Sequence, residues 1–149
     1  MNRDRFGLYD GGLIVPAECA KYIYSVSHWG YYTGYFGYST GNPILGAIVA
    51  LCACSSQLYW QRPTYGCGRN FDVACVQLSL WAHFLSAMYT VDVTHDTPGV
   101  YYYPIVGIGS VAFMASWVLS WMGAVWLATY AHLIVHVCAN ASCIVLYLN

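Results

Sequence analysis

Three histidines lie in stretches otherwise free of charge, where their spacing could hold a metal or a haem. His132 and His136 are four residues apart, so one turn of helix puts both rings on one face. His83 belongs to another apolar run, whose residues four apart read Cys75, Ser79, His83 and Ala87. Histidines on facing helices are how bundles hold haem iron. The competing chemistry is plainer: neutral imidazoles hydrogen-bonding across a bundle to serine, asparagine or backbone carbonyls, worth about 0.6 kcal/mol on average in lipid. Counting from Asp72 and Gly123 as helix starts, at about 1.5 Å per residue, His83 is expected level with the space between His132 and His136. A proton path is the weaker variant, because no carboxylate falls inside the strongest apolar runs to partner these rings.

Other chemistry finds less support. The cysteines number seven, an odd count, and Cys52, Cys54, Cys75, Cys138 and Cys143 lie in apolar runs, where cysteine acts as a small hydrophobe. Cys19 and Cys67 are expected to meet water. No spacing repeats a ligand pattern, so neither a disulfide framework nor a zinc site is expected. Gly107 and Gly109 match no phosphate-binding loop, and no nucleophile–base–carboxylate set shares one side of the membrane. Asn140-Ala141-Ser142 fits the N-glycosylation pattern but lies deep in an apolar run. The chain therefore reads as no enzyme, with no cofactor, and its formal net charge of -1 argues against nucleic acid as a partner.

These residues must be positioned by elements, and composition dictates their kind. The chain is 59% hydrophobic and only 7% charged, against roughly 25% charged in soluble domains. Its charges are Arg3, Asp4, Arg5, Asp10, Glu18, Lys21, Arg62, Arg69, Asp72, Asp92 and Asp96. From Thr97 onward there are none. The pattern predicts an all-α integral membrane protein, a bundle of four transmembrane helices over 43–60, 72–91, 104–121 and 123–148. Asn42 and Pro43 make a helix start, Tyr59 and Trp60 an interfacial end. Rows of small residues mark inward faces: Gly46, Ala50 and Cys54; Ala112, Ser116 and Ser120; and Ala124 and Ala128, ahead of His132, His136 and Asn140.

Residues 1–42 read differently. The N-terminus has no apolar core for a secretory signal, and Asn2 does not permit N-myristoylation. Residues 16–29 are expected to form a short helix, with Glu18 and Lys21 one turn apart. The Tyr/Gly-rich stretch after it holds Tyr31, Tyr32, Tyr35, Phe36 and Tyr38 among glycines. Glycine weakens a helix by about 1 kcal/mol per site, so this arm is expected to be interfacial or partner-docking, a re-entrant pass being the alternative. Arg62 and Arg69 put the first loop on the cytosolic side by the positive-inside rule, opposite the acidic loop of Asp92 and Asp96. Four crossings then leave Arg3, Arg5 and Lys21 on the acidic side.

The most distinctive string is the loop from Tyr59 to Asp72. It holds a helix end, Pro63 as a stop, a glycine turn, Arg69 within reach of Asp72, and a restart capped by Asn70 or Asp72. Its pattern Tyr-Trp-x-x-Pro-x-Tyr-x-x-x-Arg-x-x-Asp resembles small multi-pass membrane proteins of large DNA viruses of algae and protists, over about one-tenth of the chain. The resemblance implies a structural component of a virion's internal membrane, a minor capsid protein tying lipid to the shell, with the tyrosine-rich arm and Arg62 and Arg69 docking on capsid proteins. Two functions stay open: a non-catalytic structural membrane subunit, or a haem-binding or proton-conducting accessory subunit using His83, His132 and His136. The expected partners are the lipid bilayer and other protein subunits, a second copy of the chain (a homo-oligomer) among them.

Overall fold

A computed structural model describes residues 8–94 and 97–148, the side chains of 91–99 excepted. Arg3, Asp4 and Arg5, and the side chains of Asp92 and Asp96, lie outside the described residues. Among the described residues six α-helices follow one another: α1 (Ala17–Ser27), α2 (Trp29–Ser39), α3 (Pro43–Trp60), α4 (Cys67–Thr94), α5 (Thr97–Trp121) and α6 (Val125–Tyr147). Four of them, α3 to α6, contain spans long and apolar enough to cross a bilayer. Large apolar side chains on α5, such as Ile108, Val111, Phe113 and Trp117, point outward. Only an apolar solvent accommodates such a surface, and the protein is an all-α multi-pass membrane protein.

Two hairpins carry most of the packing, α2 with α3 and α5 with α6. Glycine makes both reversals. Gly41 (φ 88°) follows α2, and the Asn42 N–H returns to the Gly37 carbonyl at 2.8 Å. Gly123 (φ 80°) follows α5, and the Ala124 N–H returns to the Leu119 carbonyl at 2.9 Å. A left-handed residue after the last turn lets the chain satisfy its end carbonyls and double back.

The glycine-rich stretch is helical, contrary to the expectation from propensity. Gly30, Gly34 and Gly37 are buried and turned toward α3. A Cβ on Gly30 would stand 2.7 Å from that of Ala53, and one on Gly34 2.7 Å from the Gly46 carbonyl oxygen. A Cβ on Gly46 would stand 2.5 Å from the Gly34 carbonyl oxygen. The two backbones touch, which only residues without side chains allow. The helical cost of glycine is offset by this close approach.

Several boundaries shift. The α3 limits match the reading, although the Asn42 side chain makes no cap bond to the helix. Helix α4 starts at Cys67 instead of residue 72, so Asp72 lies inside it. Helix α5 starts at Thr97 instead of residue 104, so Pro104 is interior. Cys19, expected to meet water, is wholly buried in α1. All seven cysteines are free.

Candidate functional site

Among the described residues, the buried polar contacts between helices gather at three places, not one seam. The first joins α4 to α6. His83 is 2% exposed, its Nδ1 2.7 Å from the Ser79 carbonyl and its Nε2 2.7 Å from the Tyr147 hydroxyl. A carbonyl only accepts, so Nδ1 carries the proton, and Nε2 of the neutral ring accepts from Tyr147. Both ring nitrogens are used. Ala87 of α4, one turn after His83, packs with Tyr102 of α5 and Leu146 of α6 in an apolar cluster flanked by Leu45 and Phe84.

The second place lies earlier in α6. The rings of His132 and His136 are 5.3 Å apart, edge to face, and His132 also meets Trp60 of α3 at 5.2 Å. Asn140, one turn on, accepts from the Thr33 hydroxyl of α2 at 2.6 Å and donates to the His136 carbonyl at 2.8 Å. The small-then-polar row on α6 therefore does face its neighbours. It does not meet His83, whose partner Tyr147 lies eleven residues beyond His136, about 16 Å along the axis. The expected shared depth of the three histidines is thus corrected. Counting from Asp72 fails because α4 and α6 are not in the register that count assumed.

Beside His132 is a cavity of about 50 Å³, lined in part by Tyr9, Ser116, Ser120 and Thr129. Cofactor pockets run to about 300 Å³ or more, so this space suits water and not a macrocycle. Among the described residues no three of His, Cys, Asp and Glu are grouped to hold a metal ion.

The third place was missed from sequence. Asp72 is buried, and its Oδ1 accepts from Ser55 at 3.0 Å and Ser56 at 2.7 Å, both on α3. A carboxylate does lie within an apolar span, Cys67–Thr90. It partners serines, not histidines. The signal was the pair Ser55-Ser56, two adjacent hydroxyls at the end of an apolar run. Arg69 does not pair with Asp72 as expected; its guanidinium lies over the Tyr65 ring at 5.5 Å.

The residues read as partner-docking divide. Tyr32, Tyr35 and Tyr38 are 76%, 74% and 69% exposed, on the side of α2 away from its glycines. Tyr31 is exposed but tied to Gln57 of α3 by a 3.3 Å hydrogen bond. Phe36 turns inward, against Val49, Cys143 and Tyr147. Arg62 and Arg69 are both exposed in or just after the loop that follows α3. Comparison with protein-family models, with curated proteins and with solved structures finds no match.

Proposed function

We propose that the chain is a non-catalytic structural subunit of a larger membrane assembly, docking through the tyrosine face of α2. The supporting observation is the contrast between the two sides of that helix. Its inner side is locked to α3 by glycines, while its outer side presents Tyr32, Tyr35 and Tyr38 unburied. A rigid row of tyrosines offers large contact area at low entropic cost, together with hydroxyls that seek partners. The exposed Arg62 and Arg69 lie beyond the other end of α3, where α1 packs, and stand apart from this face.

The histidines favour the same reading. His83 has both nitrogens engaged inside the chain, as an interhelical strut would. Replacing Tyr32, Tyr35 and Tyr38 together by alanine is expected to release a helical, folded chain from its native complex, read as a drop in size on a native gel. An unchanged complex contradicts the proposal. A haem Soret band lost on His83→Ala or His132→Ala would favour the cofactor-bearing alternative. Placement in a virion membrane rests on the resemblance of the 59–72 loop, and mass spectrometry of purified particles tests it.

A further inference from the structure

The segment that composition sets apart from the membrane runs the whole length of a helix that crosses it. At one end, the Ile14 N–H donates to the Pro63 carbonyl at 2.8 Å, and Ala20 and Ile23 of α1 bury against Trp60, the last residue of α3. In the middle, Gly30 meets Ala53, and Gly34 meets Ala50 and Gly46. At the other end, the turn at Gly41 leads directly to Pro43, where α3 begins. Every level of α3 has α1 or α2 beside it, antiparallel.

We propose that residues 17–39 cross the bilayer as a fifth, composite span, placing the two ends of the described chain on opposite faces of the membrane. Helices α1 and α2 have eleven residues each, too short to cross singly. His28 joins them without leaving right-handed helical geometry (φ -62°, ψ -26°), its N–H on the Ser25 carbonyl and its own carbonyl taking the Tyr31 N–H. Together they reach about 34 Å at 1.5 Å per residue, enough for a hydrocarbon core of about 30 Å.

The polar side chains along this segment suit such a course. The hydroxyls of Ser25 and Ser27 bond to carbonyls one turn back, on Lys21 and Ile23, and that of Thr33 bonds to Asn140 of α6. Lipid supplies no partners, so internal satisfaction is what a crossing requires. Glu18 and Lys21 lie near the start of α1, where exposed heads reach the interface. Tyr22 meets Trp126, at the start of α6, with ring centroids 5.9 Å apart, so the same end carries an aromatic belt.

The charge distribution argues for the same topology independently. Four crossings alone split the five basic residues, with Arg3, Arg5 and Lys21 opposite Arg62 and Arg69. A crossing before α3 brings all five to one side and leaves the acidic connection of Asp92 and Asp96 on the other. The positive-inside rule then places the basic end in the cytosol.

The inference does not depend on what covers the tyrosines. The test uses the full chain in its membrane, tagged ahead of Met1 in one form and after Asn149 in another, and asks which tag an impermeant protease or antibody reaches in sealed cells. The expected result is a protected N-terminal tag and an accessible C-terminal one. Both tags on the same face would overturn the fifth crossing.

Discussion

Helices α2 and α4 both pack on α3, and they are held by opposite means. The α2 seam is a contact of backbones, with Gly30, Gly34 and Gly37 set against Ala53, Ala50 and Gly46. Helix α4 touches α3 more loosely, and its hold there includes a polar clasp, Asp72 on Ser55 and Ser56. A second clasp, His83 on Tyr147, ties it to α6. In lipid there is no hydrophobic drive between helices, so adhesion must come either from close packing or from hydrogen bonds. Here backbone packing dominates at α2, with the exposed Tyr31–Gln57 bond beside it, and the clasps serve α4. The glycine seam tolerates no added volume, whereas the clasps tolerate volume and fail when a polar atom is lost.

The contrast breaks most sharply at Gly46. Gly46→Leu must push the Gly34 carbonyl away, and the loss is expected on the order of 3 kcal/mol or more, measured as thermal unfolding in detergent or nanodiscs. Gly107 is the control, since a Cβ there meets nothing within 4 Å. Gly107→Ala is expected to be neutral or to stabilise by about 0.5–1 kcal/mol. Equal effects at the two glycines would remove the close-packing explanation.

Next in size is the clasp at Asp72. Asp72→Ala removes both bonds, stranding the Ser56 hydroxyl while Ser55 keeps the Cys52 carbonyl at 2.9 Å, and is expected to cost about 1–3 kcal/mol. Loosening should concentrate at the start of α4, seen as faster hydrogen exchange there and not along α2. The smallest effect is expected at the other clasp. Tyr147→Phe deletes one hydroxyl and leaves Nε2 of His83 unpartnered, costing about 1 kcal/mol. His83→Ala in that background should then add less than it does in the wild-type chain, which a double-mutant cycle reads directly.

What the sequence disclosed follows the same division. Helix α3 was legible to the residue because Asn42-Pro43 and Tyr59-Trp60 punctuate it, and punctuation is local. Pro104 and Asp72 misled for a related reason: each is a favoured start residue, yet each sits inside a helix, with Asp72 recruited by serines on another helix. The glycines of α2 misled more deeply. Their cost to an isolated helix is local, but their value at a helix–helix contact depends on Gly46 and Ala53, which only the fold brings opposite. The inward row on α6 was correct as a face, since periodicity reports faces. Depth between helices is another matter, and the histidines show it: His83 meets Tyr147, a residue with no mark in the sequence beyond being one of fifteen tyrosines.

In the proposed arrangement the glycine side of α2 is fixed inside the chain and its tyrosine side meets another protein in the membrane. Photo-crosslinking with benzoylphenylalanine tests this most directly, placed at Tyr35 in one form and at Phe113, on the outward face of α5, in another. A discrete protein adduct from position 35 in native membranes and lipid labelling from position 113 are expected. Lipid labelling alone at both positions would contradict the arrangement.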